Sequence, residues 1–420
     1  MATENKKYIP ALRFPEFQND GEWKEYPLGQ IFSRITKRNS VNNQNVLTIS
    51  AQYGLISQYD YFNKNVAAID VSNYYHISKY DFAYNKSKSQ GYPYGAIKPL
   101  KLYEDGVVSP LYICFRIKDD RSFVNTFFEY YFESGLIHKE IDKISQEGAR
   151  NHGLLNISTK DFFDKIILYI PSFLEQKKIA DCLLSLDKYI DATKRKLELL
   201  KEHKKGLMQR LFPAKGKTTP ELRFPEFQND GEWQIVSLGE ITSVVNRRNK
   251  SNRSLPIYSI NNAEGFVPQS QQFAGMDSEA RGYDISAYKI IGKHTFAYNP
   301  ARINVGSIGY SGELKDILIS SLYVCFKTMD NVDDDFLMCF FDSYIFNQAV
   351  ESNVEGGIRS YLFYENFSRI NIAIPSLYEQ KRIASCITSI EDVIKQTNKQ
   401  ICLLETHKNG LLQQLFPKIK

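Results

Sequence analysis

The sequence lacks the signatures of covalent scaffolds and of catalysis. Six cysteines in 420 residues are too few for a disulfide framework, and none falls in a CxxC or Cys/His arrangement with zinc spacing. No run of about 18 apolar residues is present to span a membrane. The start, Met1-Ala-Thr-Glu-Asn-Lys-Lys7, has no apolar stretch of a secretory signal, so the expected location is the cytoplasm. No Gly-x-Ser-x-Gly elbow or His-Glu-x-x-His helix occurs. Gly216-Lys217-Thr218 looks like the end of a phosphate-binding loop, but the glycine required five positions earlier is Leu211. The six histidines, at 76, 138, 152, 203, 294 and 407, are scattered. The chain reads as non-catalytic, with no metal and no cofactor of its own.

What is present begins with size. A chain of 420 residues, 43% hydrophobic and 24% charged, is globular and too long for one ordinary core. The net charge of +5 permits a polyanionic partner without demanding one. Aromatics reach 13%, which suits either polar-ligand surfaces or β-rich cores.

A tandem duplication organises the chain. Leu12 to Trp23 reads LRFPEFQNDGEW, and Leu222 to Trp233 repeats it without change. Leu28-Gly29 returns as Leu238-Gly239, and Phe82-Ala-Tyr-Asn85 as Phe296-Ala-Tyr-Asn299. Ile170-Pro-Ser with Glu175-Gln-Lys-Lys-Ile-Ala180 returns as Ile374-Pro-Ser with Glu379-Gln-Lys-Arg-Ile-Ala384, and Leu211-Phe-Pro213 as Leu415-Phe-Pro417. The likeness is close at the edges of each copy and weak through about 40–80 and 250–295. A shared frame with a variable interior suits two modules doing one kind of task on different targets; free drift of loops after an old duplication gives the same pattern.

Each copy closes on a long helix. Ile179, Leu183, Leu186, Ile190, Thr193, Leu197 and Leu200 step by three and four, as do Ile383, Ile387, Ile390, Ile394, Thr397, Ile401 and Leu404. Spacing of 3.5 over four heptads is a coiled-coil seam with one polar interruption at the threonines. Ser172 and Ser376, each with glutamate three residues on, read as capping boxes, and Phe-Pro stops each helix. A helix of about 37 residues at ~1.5 Å rise is roughly 55 Å long. The two seams are expected to pair antiparallel, with Ile190 against Ile401 and Leu197 against Ile394. The cations on the first helix, Lys188 to Lys205, read either as a solvated face or as a docking surface. The runs Val46–Ile49, Val107–Ile117 and Ile166–Ile170 predict strands, and Phe123–Ile144 and Asp335–Ser352 predict helices. The expected fold class is α+β: two mixed α/β domains (1–171 and 214–375) and two helices (172–213 and 376–420) forming an antiparallel coiled coil, a pseudo-two-fold internal repeat.

Polar and basic residues recur at matching places. The first set is Lys37-Arg38-Asn39 against Arg247-Arg248-Asn249. The second follows the Phe-Ala-Tyr-Asn run: Lys86, Ser87, Lys88 and Gln90 against Arg302 and Asn304. The third lies in glycine-bearing loops, with Arg150 and Asn151 against Arg359 and Tyr361. These side-chain types bond phosphates and base edges; the alternative is solvated loop charge.

Taken together, the duplicated start (Trp23-Lys-Glu-Tyr-Pro-Leu-Gly29 and Trp233 to Gly239), the Ile-Pro-Ser…Glu-Gln-Lys-Lys/Arg-Ile-Ala helix starts and the Leu-Phe-Pro exits resemble the specificity subunits of type I restriction–modification enzymes over essentially the whole chain. The resemblance implies two target recognition domains, each reading one half of a split, asymmetric double-stranded DNA site, with the helix pair as the ruler between them. It implies docking of two methyltransferase (modification) subunits that methylate adenine at N6 with S-adenosylmethionine, and of restriction/translocase subunits using ATP and Mg; these cofactors belong to the partners. A free-standing bivalent regulator is the competing reading, but regulators usually dimerise on palindromes, which unlike domains suit poorly.

Overall fold

The structure is a computed structural model and describes residues 8–50, 53–62, 70–89, 91–145, 153, 155–262, 264–273, 275–353 and 361–418. The chain divides into two compact units: residues 1–194 with 399–420, and residues 195–398. Each unit thus takes the start of one long helix and the end of the other.

In the first unit the strands are β1 (Lys24–Pro27), β2 (Phe32–Arg34), β3 (Val46–Ser50), β4 (Gly54–Ser57), β5 (Tyr75–Ser78), β6 (Phe82–Asn85), β7 (Ala96–Pro99), β8 (Asp105–Val108), β9 (Ile113–Ile117) and β10 (Ile167–Ile170). They form one sheet ordered β2-β9-β6-β7, a second ordered β4-β3-β8-β5, and a ribbon of β1 with β10. The second unit has β11 (Gln234–Ser237), β12 (Thr242–Val244), β13 (Ile257–Asn261), β14 (Gly265–Pro268), β15 (Lys289–Ile291), β16 (Phe296–Tyr298), β17 (Ile308–Tyr310), β18 (Ile317–Ile319), β19 (Val324–Thr328) and β20 (Asn371–Ile374). Its sheets run β12-β19-β16-β17 and β14-β13-β18-β15, with a β11·β20 ribbon. The topology repeats element for element, even through the interior where the two sequences have diverged.

Two of the expected helices are each a pair. Phe123–Ile144 resolves into α1 (Asn125–Glu133) and α2 (His138–Ile144), parted at Gly135, whose φ of 78° lies in the left-handed region that glycine tolerates. The second copy has α4 (Asp334–Phe341) and α5 (Tyr344–Asn353), with the long helices α3 (Phe173–Leu211) and α6 (Leu377–Gln414) closing the copies. Likewise Val107–Ile117 is two strands, β8 and β9.

The aromatic excess lies largely in the cores. Phe32, Phe82, Phe115, Phe127 and Phe128 pack with Trp23, Ile179 and Leu183, and Leu412 of α6 with Leu415 and Phe416 just past its end complete this cluster. The second core repeats much of this arrangement, with Met208 and Leu211 from the end of α3 and Phe212 just past it. Tyr84, Tyr130, Tyr131 and Tyr298 are among the largest side chains that are almost wholly buried, so these four serve the interior.

Every seam position is buried or half-buried. Ion pairs fix the direction of pairing: in the first unit Asp187 meets Lys408 at 2.7 Å and Lys194 meets Glu405 at 2.6 Å, while Gln400 donates to the Tyr189 hydroxyl at 2.7 Å. In the second, Lys204 meets Glu391 at 2.6 Å. In the first unit rising numbers on one helix match falling numbers on the other, so the helix segments there are antiparallel. Thr193 and Thr397 are buried, and each hydroxyl donates to the carbonyl four residues back, at 2.8 and 2.7 Å. The polar layer is therefore satisfied within each helix.

The duplicated frame motifs bond to one another. Ser172 and Ser376 do accept from the amides of Glu175 and Glu379, at 3.4 Å, but those carboxylates do not return to the cap as a capping box would have it. Instead the Glu175 carboxylate takes two hydrogen bonds from Arg13 (2.8 and 2.7 Å), and Glu379 takes two from Arg223 (2.8 and 2.7 Å). Bidentate guanidinium–carboxylate pairing is strong and geometrically specific. The next residue grips the domain: Gln176 accepts from the Val124 amide at 3.0 Å and donates to the Pro171 carbonyl at 3.1 Å. Gln380 does the same with Asp333 (2.9 Å) and Pro375 (3.0 Å). The linker residue Thr218 is pinned within the second unit, donating to Glu232 at 2.9 Å and accepting from the Trp233 amide at 2.9 Å.

Candidate nucleic-acid interface

β2 and β6 both run antiparallel to β9, which lies between them. They are therefore parallel to each other and leave their sheet at the same end. The first basic set follows β2 and the second follows β6, so the topology delivers both to one edge. β12, β19 and β16 repeat the arrangement.

After β2 the chain joins the outer edge of β5: the His76 amide donates to the Lys37 carbonyl at 2.9 Å, and the Asn39 amide to the Tyr74 carbonyl at 3.0 Å. Lys37 and Arg38 point to solvent, with the Arg38 guanidinium over the Tyr75 ring at 4.7 Å and bonded to the Asn73 carbonyl. Asn39, expected to reach DNA, is buried instead. Its amide accepts from the Asn43 amide (2.8 Å) and donates to the Asn43 carbonyl (2.9 Å). Asn249 is also buried and makes the same pair of bonds with Arg253, at 2.9 and 3.0 Å. The two asparagines shape the loop and have no free edge to offer a base.

In the second unit Arg247 and Arg248 are exposed. Asp316 holds Arg253 at 3.2 Å and lies 3.9 Å from Arg247. Its counterpart Asp105 accepts from Asn43 at 2.8 Å and lies 3.1 Å from His76. These aspartates anchor the basic loops, a role that sequence reading missed. A signal existed: each is an acidic residue leading into an apolar strand run, at the same place in both copies.

The second set lies beside described residues next to the third. Lys88 donates its amide to Gly153 at 2.7 Å, and the Leu155 amide donates to the Lys86 carbonyl at 3.0 Å, so the chain after β6 lies beside Gly153 and Leu155. Lys88 and Ser87 are exposed, and Lys86 is half-buried, its ammonium held below the ordinary lysine range by desolvation. In the second unit the Leu362 amide donates to the Pro300 carbonyl at 3.1 Å. Arg302 and Asn304 are exposed around a short 3-10 turn that ends at Gly306, φ 84°. Tyr361 is half-buried and stacked on Phe363 at 5.7 Å. Gln90, Arg150, Asn151 and Arg359 lie outside the described residues. The exposed cations at each edge are suited to phosphate oxygens. Among the described residues no three His, Cys, Asp or Glu gather to hold a metal ion, and no helix is long and apolar enough to cross a membrane.

Comparison with known proteins gives one consistent result. Residues 230–405 match the family model of the type I restriction modification DNA specificity domain. Over 315 residues the chain is 23% identical to a putative type I restriction enzyme MjaX specificity subunit of Methanocaldococcus jannaschii, covering 71% of this chain and 69% of that protein. It is 24% identical over 281 residues to the MjaVIII specificity subunit of the same organism, covering 61% of this chain and 63% of that one. Its fold is similar to the type I restriction–modification S subunit from M. genitalium, with a TM-score of 0.56 at 15% identity over 98% of this chain and 100% of the other. A chain from a structure of type I complex assembly gives a TM-score of 0.52 at 14% identity, covering 95% and 98%.

Proposed function

We infer that this chain, a member of the specificity-subunit family of type I restriction–modification enzymes, reads a split DNA site, one half with each unit, through the basic edges where β2 and β6, and β12 and β16, leave their sheets. One observation carries the reading: the same two-sheet unit is built twice, and its matching edges present different side chains. Lys86-Ser87-Lys88 stands in one and Arg302 with Asn304 in the other. Equal geometry with unequal chemistry suits two unlike half-sites. The helix pair sets the spacing between halves and offers docking surface to modification subunits. These carry the adenine-N6 chemistry and S-adenosylmethionine, and restriction subunits bring ATP and Mg; this chain supplies sequence recognition.

The test is co-expression with the cognate modification subunit in a methylation-free host, followed by genome-wide mapping of N6-methyladenine. A single split, asymmetric motif that disappears when this chain is omitted is the expected result. A soluble, assembled complex that leaves no new methylation would refute the assignment. Replacing Arg302 with alanine should relax one half of the motif and spare the other; equal loss in both halves contradicts one reader per half.

A further inference from the structure

The two units differ at one place where their frame is otherwise matched. In the first, the Tyr8 ring stacks on Tyr169, with centroids 4.1 Å apart and planes 19° from parallel. The Trp23 amide donates to the Tyr8 carbonyl at 3.1 Å, and the Trp233 amide to the Thr218 carbonyl at 2.9 Å, so Thr218 stands in the place of Tyr8. The ribbon registers pair Glu25 with Tyr169 and Ile235 with Ala373, so Ala373 stands in the place of Tyr169. Both rings are missing from the second unit. There a cleft of about 430 Å³ opens, walled by Phe212, Ile235, Phe340, Ile372 and Ala373, with Gln348 and Arg369 among its polar lining.

We propose that this cleft takes the phenolic ring of a tyrosine carried on an extended segment of a partner polypeptide. The volume falls within the usual range for ligand pockets, roughly 300–1,000 Å³. Apolar walls accept the face of the ring, and the amide and guanidinium among the lining groups suit its hydroxyl. The first unit supplies the precedent for the occupant: the same place is filled by Tyr8, just ahead of the LRFPEF segment, stacked on Tyr169. The ring site stands on the cleft alone. Its assignment to a modification subunit's tyrosine rests on the function proposed above.

The experiment uses the full chain and two readouts. Saturable binding of p-cresol, followed by NMR of the protein, probes the ring site. Association with the modification subunit, followed by titration, probes the occupant. Thr218→Tyr with Ala373→Tyr refills the cleft with the first unit's own pair, and Ser352→Trp, at an exposed lining position, obstructs the cleft with little risk to folding. The expected result is saturable p-cresol binding by the parent, loss of it in both variants, and association weakened roughly 30-fold, the loss of one buried aromatic anchor. Absence of p-cresol binding by the parent overturns the ring site. Binding of p-cresol together with unchanged association by folded variants overturns the partner's tyrosine as occupant. If the parent chain forms no complex with the modification subunit, the proposed function and this occupant both fail, while the p-cresol readout still decides the ring site.

Discussion

Replacing Arg223 with methionine tests how the frame of the second unit is held. Arg223 and Glu379 form a bidentate pair with side-chain exposures of 10% and 1%. Methionine keeps much of the aliphatic bulk and leaves the Glu379 carboxylate buried without its cation. Breaking one side of such a pair costs about 3–5 kcal/mol, most of it the desolvated, uncompensated charge. The Asp230 and Gly231 carbonyls, which also accept from Arg223 at 2.6 and 3.0 Å, belong to an exposed turn and regain water, so they add little. With a urea slope of about 2 kcal/mol/M for a unit of this size, the transition should move about 1.5–2.5 M lower. The sequence provides the reporters, since its two tryptophans lie one in each unit, Trp23 and Trp233, both buried. In a Trp23→Phe background, Trp233 fluorescence should show the full shift; in a Trp233→Phe background, Trp23 should show none. Adding Glu379→Gln to Arg223→Met should recover more than 1 kcal/mol, because the orphaned charge is removed. A loss below about 1 kcal/mol, the scale of an exposed pair, would refute the interlock. So would equal shifts at both tryptophans.

Three further outcomes are expected. Lys408 lies 2.7 Å from Asp187 and 3.8 Å from Glu133, with its ammonium 5.5 Å from the Tyr130 ring centre; Lys408→Met should cost the first unit about 2–3 kcal/mol, read by Trp23 fluorescence during urea unfolding. Burial lowers the His138 imidazole below its ordinary value near 6.5, so the unfolded chain takes up that proton first and the first unit loses stability as pH falls below 6.5. His138→Gln should flatten the melting temperature between pH 7 and 5 relative to the parent, and an unchanged slope would exclude this group. Lys37→Ala should weaken DNA binding evenly across sequences and reduce the salt slope by about 0.9, one phosphate contact; a change in the methylated motif would show that Lys37 reads a base.

The seam was legible because a 3.5-residue period over four heptads has few other solutions, and its fourteen predicted positions are all buried or half-buried. The breaks at Gly135 and near Ser343 were not, because the apolar pattern continues across a turn that backbone conformation alone decides. Asn39 and Asn249 show the limit at the candidate interface. Their residue type suits adenine, but a side-chain amide that closes a loop looks the same in sequence as one that reads a base. The partner of Glu175 was hidden for another reason. Local spacing points to the cap three residues away, whereas Arg13 lies far back in the chain and reaches the carboxylate only when β1 and β10 have paired.

This contact pattern explains why the two copies agree at their edges and diverge inside. At the edges, side chain meets side chain: Arg13 and Arg223 each need a carboxylate of fixed length, and Gln176 and Gln380 each use both ends of the amide. A Cβ at Gly29 or Gly239 would come within 2.9 Å of the Phe163 carbonyl oxygen or 3.0 Å of the Ser368 side chain. Few substitutions satisfy such pairs, and changing one partner strands the other. In the interior the corresponding work is done largely by main chain. Lys37 and Arg247 hold the edges of β5 and β15 through their carbonyls, as Lys86 and Pro300 receive the amides of Leu155 and Leu362. A backbone bond places no demand on the side chain that rides above it. The exposed basic edges can therefore change residue type while the sheets stay in register; under the proposed function, a new half-site needs no new fold. The frame has no such freedom, because each unit is closed by the start of one copy's helix and the end of the other copy's helix.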